Sequence, residues 1–267
     1  MRSIILAVLS VVTFLFSVFF YLYDYFIGFE FETIVICDIL PVILALLAAI
    51  YIGYCAKSAI EPSEKKAILL FFIGIFLWFL GELLWFWYEA ILQIETPYPS
   101  VADILWILGF LPFIGGAAYY LKSIFLPTNS KIKKTVIFLA SVSVFVILTL
   151  VLFVPVIKAD ISLIEKIIDF FYPIGDFILF ILSLYIATIQ LKTGPLGKPW
   201  LIFSLAFLLF SVSDMLFSWA TFKDIYGYGY AIDFLDLIYN LAYVLFPIAC
   251  YLKEHATKTR ILSLIKF

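Results

Sequence analysis

The sequence predicts an all-α membrane protein: a polytopic bundle of about eight transmembrane helices, built as two parallel four-helix repeats with cytoplasmic N- and C-termini. Three observations predict this fold class. The 267 residues are 66% hydrophobic and only 13% charged, with a mean hydropathy of +1.17, which excludes a water-soluble domain. Eight apolar segments follow one another with Lys and Arg alternating between their ends. The two halves of the chain also resemble each other.

Each predicted span is an apolar segment of the length that crosses a hydrocarbon core, about 20 residues for about 30 Å. We place the spans at roughly 3–23, 33–55, 66–92, 101–121, 134–157, 167–190, 199–221 and 230–252. Proline and glycine punctuate the connections, as at Pro62, Pro97, Pro127 and Gly194. The first segment is longer than a signal-peptide core and lacks a small-residue cleavage site, so we interpret it as a retained span.

The distribution of basic residues predicts the orientation. Of the 17 Lys and Arg residues, all but Lys158, Lys166 and Lys223 fall on one side of the predicted membrane. The side that is rich in Lys and Arg is normally cytoplasmic, so both termini are expected there. We therefore divide the chain into a first four-helix repeat (1–130), a second four-helix repeat (131–252) and a cytoplasmic tail (253–267), with the whole in the cell membrane.

The internal repeat is carried by residues 81–106, which recur in outline at 213–239. The matched pairs are Glu82 with Asp214, Asp103 with Asp236, and Trp106 with Tyr239, with a one-residue gap. Each half contains an even number of spans, so both halves enter the membrane from the same side. An axis along the membrane normal would then relate the two repeats.

Acidic residues inside apolar helices are the candidate functional site, because a carboxyl group in a membrane is costly. We expect an outward-facing cavity, lined by acidic and aromatic side chains, that binds a cation, a protonated ligand or a proton. The acids are Glu82, Asp103, Asp214 and Asp236, supported by Asp38 and Asp176. The aromatic side chains are Trp85, Trp106 and Tyr239, which lie at helical spacing from these acids.

Simpler interpretations accompany this hypothesis. The carboxyls could be protonated and hydrogen-bonded to Tyr, Trp or Ser, holding helices together with about 0.6–2 kcal/mol per bond. Asp103 and Asp233 could be helix caps. Glu82, Trp85 and Glu89 are expected on one helix face. Trp78, Trp85, Trp87 and Trp106 form either an interfacial belt or a cation-binding wall, of which the belt is favoured.

The sequence lacks the motifs of the common enzyme classes. It has no phosphate-binding loop, zinc-protease motif, nucleophile elbow or dinucleotide fingerprint. Cys37, Cys55 and Cys250 have no metal-ligand spacing, and His255 is the only histidine. Without a basic block, nucleic-acid binding is not expected. We therefore expect no enzyme activity and no cofactor, while a metal ligand is undetermined. Gly115-Gly116 lies within a span and indicates close helix packing.

One region resembles a known type of membrane sensor. The segment Tyr98-Pro-Ser-Val-Ala-Asp103-Ile-Leu-Trp106 follows Gly81-Glu82-x-x-Trp85, and Tyr172-Pro173-Ile174-Gly175-Asp176 comes later. This arrangement resembles the multi-pass N-terminal membrane sensor regions of prokaryotic diguanylate cyclases and sensor histidine kinases. The resemblance implies a ligand-sensing role. In that family the membrane region feeds a cytoplasmic catalytic domain, whereas here only the tail 253–267 follows, so output would pass to a separate cytoplasmic signalling partner.

The sequence thus favours a non-enzymatic sensory or ligand-binding module with an outward-facing acidic and aromatic site, whose partners are the lipid bilayer, a cationic ligand and the signalling partner. The alternative is a small cation- or proton-coupled transporter that uses the same acids. A transporter must open to both sides, and the cytoplasmic halves of the spans carry few polar residues. An enzyme acting on lipid ranks last, because no nucleophile or base pair is evident.

Overall fold

The computed structural model describes residues 2–27, 31–124, 131–191, 193–223, 225–226 and 235–265. Within these ranges the chain is helical apart from short connections, and no strand is found there. Eight of the helical segments are long and apolar enough to cross a membrane. The chain is therefore an all-α, multi-pass membrane protein, as the sequence predicts.

The eight predicted spans are confirmed, and most of their ends lie within a few residues of the prediction. The helices are α1 (Arg2–Ile27), α2 (Phe31–Ser58), α3 (Pro62–Phe86) with a π-helical turn (Trp87–Ile91), α4 (Val101–Ser123), α5 (Lys131–Leu148) joined by a π-helical turn (Thr149–Phe153) to α6 (Val154–Lys158), α7 (Leu163–Gln190), α8 (Lys198–Phe222) and α9 (Leu235–Ile265). The last helix continues without a break through most of the segment assigned to the tail. Residues 230–234 of the predicted last span lie outside the described residues.

Helix starts follow local sequence signals. Pro62 begins α3 at a position where no backbone N–H is needed. Ser100 and Asp103 form a capping box at the start of α4, and Ser162 and Glu165 form another at the start of α7. The alternative interpretation of Asp103 as a helix cap is therefore confirmed.

The six central helices form a closed ring. In order around the ring, α2, α3, α4, α7, α8 and α9 each pack against the next, and α9 returns to α2. Outside the ring, α1 packs against α2 and α9, while α5 packs against α7. Many large apolar side chains of α1 and α5 are exposed, as expected for surfaces that face lipid.

The ring has two chemically different ends. One end is here called the basic end. It carries Lys57 and Lys122 at the ends of α2 and α4, and Lys65 and Lys198 at the starts of α3 and α8. The opposite end, here called the acidic end, contains the last turns of α3 and α8 and the first turns of α2, α4, α7 and α9. With eight spans, α1 begins and α9 ends at the basic end.

An interlocking row of glycines and aromatic rings fixes the contact between α3 and α4. From the basic to the acidic end the pairs are Phe71 with Gly116, Gly74 with Phe113, Trp78 with Gly109, and Gly81 with Trp106. A Cβ atom at Gly81 would lie 2.5 Å from Trp106 Nε1, so no other residue fits there without displacing the indole. The Trp78 indole also donates a hydrogen bond to the Trp106 carbonyl at 2.9 Å.

Trp78 is therefore a core residue, with only 3% of its surface exposed. Its assignment to an interfacial belt or a cation-binding wall was wrong. Helical phase alone could not show this, because an aromatic side chain near a span end fits either a belt or a packing role.

A polar and aromatic lock closes the basic end of the ring. Glu64 of α3 forms an ion pair with Lys253 of α9 and accepts a hydrogen bond from the Trp200 indole of α8 at 3.1 Å. Trp200 stacks on Tyr120 of α4 with ring centroids 3.4 Å apart, and Tyr120 accepts a hydrogen bond from Gln190 of α7 at 3.0 Å. Five helices thus meet in one connected group.

The glycine–aromatic row yields a test with a built-in control. A Cβ at Gly116 would lie 2.7 Å from Phe71 Cε1 and 3.0 Å from the Ala67 carbonyl, whereas one at Gly115 would meet nothing closer than 3.9 Å. We expect Gly116→Ala to lower the unfolding temperature in detergent, with about 1–3 kcal/mol lost to overpacking.

The neighbouring change Gly115→Ala should leave the unfolding temperature unchanged or raise it, because alanine favours the helix by about 0.5–1 kcal/mol over glycine. Equal effects of the two substitutions would contradict the observed packing of α3 against α4.

Candidate functional site

Five carboxyl groups from five helices converge at the acidic end. They belong to Asp38 (α2), Glu82 (α3), Asp176 (α7), Asp214 (α8) and Asp236 (α9). Glu82 interacts electrostatically with Asp236, Asp214 and Asp38, while Asp214 contacts Asp176. The sequence placed all five in one site, and the structure brings them together. With the tyrosines Tyr21, Tyr239 and Tyr243 they are called the acid–tyrosine cluster below.

A tyrosine hydroxyl from another helix donates to Glu82, Asp214 and Asp236. Tyr243 of α9 donates to Glu82 Oε1 at 2.8 Å, and Tyr239, one turn earlier, donates to Asp214 Oδ1 at 2.5 Å. These two bonds attach α9 to α3 and α8. Tyr243 is buried and the other three groups are half-buried, which makes each bond costly to break, since an unpaired polar group in a low-dielectric interior is unfavourable.

Asp236 attaches the same helix to α1. Its carboxylate accepts hydrogen bonds from Tyr21 at 2.7 Å and from Tyr226 at 2.9 Å. One turn further along α9, the Asn240 amide donates to the Ser17 hydroxyl at 2.7 Å. The polar residues along this part of α9 thus point in two directions: Asp236 and Asn240 face α1, while Tyr239 and Tyr243 face α8 and α3.

Asp176 and Asp214 form a carboxyl–carboxyl pair between α7 and α8. The two side chains lie close enough to interact electrostatically, and Asp176 has no solvent-exposed surface. Two ionised carboxylates in contact would repel, and neither has a proton to donate. A proton on one of the two carboxyl groups, or a cation between them, would relieve that repulsion.

Asp103 is joined to the cluster only through a neighbour. Its Oδ2 accepts hydrogen bonds from the Ser100 backbone N–H at 2.7 Å and from the Ser100 hydroxyl at 2.9 Å, and its Oδ1 accepts from Tyr172 at 3.1 Å. Asp103 is not among the acids that act on Glu82. Its carboxylate is occupied by the start of α4 and by the tie to α7. The second cap candidate, Asp233, lies outside the described residues.

Trp85 and Trp106 pack on each other between α3 and α4, with ring centroids 6.0 Å apart. Both are half-buried. Trp106 also fills the space left by Gly81, the residue directly before Glu82. The glycine in the Gly81-Glu82 motif therefore serves packing: it lets the indole approach the helix that carries the acid.

Glu89 does not share the face of Glu82. The π-helical turn Trp87–Ile91 changes the helical phase after Phe86. The Glu89 carboxylate accepts a hydrogen bond from the Thr96 backbone N–H at 2.8 Å and so fixes the loop before α4. The expectation of a common face was wrong because it assumed an α-helical period through the end of the span.

The loop between α3 and α4 makes one more tie. The Tyr98 hydroxyl donates to the Asp169 carboxylate of α7. Partial burial, and next this hydrogen bond, raise the pKa of Tyr98 well above its ordinary value. The hydroxyl therefore stays protonated and able to donate this hydrogen bond at neutral pH.

Sequence reasoning missed most of the hydrogen-bond donors. Tyr243 and Tyr172 lie at helical spacing from Asp236 and Asp176 but were not assigned to the site. No sequence pattern connected Tyr21 or Tyr226 with an acid. Tyr21 lies on α1 and meets Asp236, which is 215 positions away in the chain. No local pattern encodes such a contact.

The contact between Glu82 and Tyr243 can be measured with a double-mutant cycle. We expect Glu82→Gln and Tyr243→Phe each to lower stability, and the pair to be coupled by about 0.6–2 kcal/mol, the range of interhelical bonds in membranes. The measurement is the unfolding free energy in detergent for the four variants.

Asp103→Asn combined with Tyr243→Phe is the control, because Asp103 bonds with Ser100 and Tyr172 instead. This second pair should be additive. Additivity for Glu82 and Tyr243 as well would mean that their hydrogen bond contributes nothing.

Comparison of this chain with protein-family models, with curated proteins and with solved structures found no match.

Proposed function

We propose that this multi-pass membrane protein is a non-enzymatic sensory or ligand-binding module whose acid–tyrosine cluster binds a cation or a proton. One observation carries the proposal. Carboxyl groups of five helices meet inside the membrane, while the Lys and Arg residues of the chain all lie outside the span cores. The cluster therefore lacks an internal counter-charge, and desolvated carboxylates require neutralisation by protons or by a bound cation.

The position of α9 supports a sensory output. Its tyrosines bind the carboxylates of α3 and α8, while its other end carries Lys253, paired with Glu64, and continues to Ile265. A change in the charge of Glu82 or Asp214 changes the strength of both tyrosine bonds. The same helix reaches the basic end, where we propose that a separate signalling partner detects the position of α9.

The lock at the basic end favours sensing over transport. A transporter must expose its site to both sides in turn, and here Glu64, Lys253, Trp200, Tyr120 and Gln190 join five helices across one end. At the acidic end, by contrast, Glu82 and Asp214 are half-buried and so remain partly accessible. Ligand access from the acidic end alone suffices for a sensor.

We also propose that the basic end faces the cytoplasm of a cell membrane, and that the two halves are parallel repeats. The contacts of α2 with α3 and of α3 with α4 have counterparts in those of α7 with α8 and of α8 with α9. The contact of α4 with α7 likewise has its counterpart in that of α9 with α2. This correspondence supports a two-fold axis through the centre of the ring that relates α2, α3 and α4 to α7, α8 and α9.

Orientation can be tested by labelling engineered cysteines in intact cells. The native cysteines Cys37, Cys55 and Cys250 are buried, so background labelling should be low. An impermeant maleimide should label Lys158→Cys at the acidic end and should leave Lys57→Cys unlabelled until the cells are permeabilised. Both positions are exposed, so the reverse pattern would place the acidic end in the cytoplasm.

Ligand binding at the cluster can be tested by thermal unfolding of the purified protein in detergent across pH and a panel of metal and organic cations. We expect at least one cation to raise the unfolding temperature, because a ligand that binds only the folded state stabilises it. The shift should disappear in the double variant Glu82→Gln/Asp214→Asn.

Asp169→Asn is the matched control, since this carboxyl pairs with the Tyr98 loop outside the cluster, and its shift should match the wild type. If no cation shifts the wild type, and the double variant is merely less stable in every condition, the acids are structural ties. Uptake of the bound cation by sealed vesicles containing the protein would favour the transporter, and binding without uptake favours the sensor.

A further inference from the structure

The serine hydroxyls inside the spans fall into two groups. Most donate to the backbone carbonyl four residues earlier, as expected for serine and threonine in a membrane helix. This group includes Ser10, Thr13, Ser141, Thr149, Ser204 and Ser213. Ser211 belongs to the other group: it is fully buried, and its Oγ has no hydrogen-bond partner among the described residues. Such an unpaired hydroxyl is unfavourable unless something else binds it.

Ser211 lies on α8, the helix that carries Asp214, at a spacing of three residues that places the two side chains next to each other on the helix surface. Phe210, the preceding residue, packs on Tyr243 and other rings of α9. Ser211 lies about 100° further round α8 than Phe210, away from the centre of that contact with α9. It precedes Asp214 by three residues, so it lies about one turn deeper toward the basic end.

Carboxyl oxygens of Asp176 and Asp214 also lack hydrogen-bond partners. Neither oxygen of Asp176 nor Oδ2 of Asp214 has a hydrogen-bond partner in the part of the chain that the structure describes. The buried Asp176 and Ser211 side chains and the buried Oδ2 atom of Asp214 thus supply oxygen atoms without hydrogen-bond partners near the interface of α7 and α8. Oxygen-only ligands suit hard cations.

We propose that Asp176, Asp214 and Ser211 form a binding site for a small monovalent cation, Na⁺, between α7 and α8. The inference rests on the proposed function and names the ligand class for the deepest part of the acid–tyrosine cluster. When Na⁺ binds, it takes the place of the proton shared by the two carboxyls, and the proton leaves toward the acidic end. The charge of the pair is the same before and after this exchange.

The ligand set favours a monovalent ion over a divalent one. Calcium takes six to eight oxygen ligands, and magnesium requires a nearly octahedral shell. Across the described ranges no group of three or more His, Cys, Asp or Glu side chains is placed to hold a metal ion. A monovalent ion also loses less hydration energy on entering a buried site, because that energy grows with the charge of the ion.

The charged and titratable groups around this pair come from several helices. Tyr239 and Tyr243 of α9, Glu82 of α3 and Tyr172 of α7 interact electrostatically with Asp214 or Asp176. All are acids or hydroxyl groups, so each added negative charge strengthens the attraction for a cation. Entry runs past the half-buried Glu82 and Asp214 at the acidic end.

The test is the unfolding temperature of the full chain in detergent while choline chloride is replaced by NaCl at constant ionic strength and pH. We expect the wild type to be stabilised as Na⁺ increases. At ten times the dissociation constant, the ratio of folded to unfolded protein should rise about elevenfold. KCl should give a smaller shift, because K⁺ is larger.

Ser211→Ala should abolish or strongly reduce the Na⁺ shift while remaining folded without Na⁺, because it removes an unpaired hydroxyl. Ser204→Ala is the matched control: it is equally buried on the same helix, but its hydroxyl is already bonded to the Trp200 carbonyl. It should keep the full shift. Asp176→Asn, which retains the shape of the side chain, should also lose the shift.

The proposal is overturned if Na⁺ does not stabilise the wild type, or if Ser211→Ala and Ser204→Ala respond to Na⁺ equally. Its failure can be distinguished from failure of the proposed function. A different cation or a pH change that stabilises the protein through Glu82, without any Na⁺ effect, would leave the sensory proposal standing and remove only the sodium site.

Discussion

A carboxyl group inside a membrane needs a hydrogen-bond donor or a counter-charge, and this constraint organises the acidic half of the molecule. No Lys or Arg lies in a span core, so tyrosine hydroxyls take the role of donors. Because α9 supplies Tyr239 and Tyr243 to acids on α8 and α3 and itself receives Tyr21 from α1, one helix is tied to three neighbours. The positions of these helices relative to one another therefore depend on the charge state of the acids.

The rest of the bundle is held mainly by packing, with one ion pair at the basic end. The glycine–aromatic row between α3 and α4 brings two backbones close together, and small residues at such contacts are the usual means of association in membranes. At the basic end the stacked rings of Trp200 and Tyr120 and the ion pair of Glu64 with Lys253 complete the ring. The molecule thus combines an end rich in buried and half-buried carboxyl groups with an end that is held mainly by packing.

The sequence identified the acids of the cluster but few of their hydrogen-bond donors. Glu82, Asp214 and Asp236 were recognised because an acid in an apolar segment is rare in any context. Their donors were not, since a tyrosine in a membrane helix is common and its role depends on which helix lies opposite. Two local features were not anticipated from helical periodicity. The π-helical turn places Glu89 on a different face from Glu82, and Asp103 takes part in the capping box at the start of α4.

The sequence by itself determined the fold class, the eight spans and the set of acids that had to be accommodated, because length, hydropathy and charge act locally along the chain. Only the tertiary structure decided that Tyr21 bonds with Asp236, that Tyr243 bonds with Glu82, and that Asp176 lies near Asp214. These contacts join residues far apart in the chain. They depend on the order of the helices around the ring and on their rotation, which long-range packing decides and no local pattern encodes.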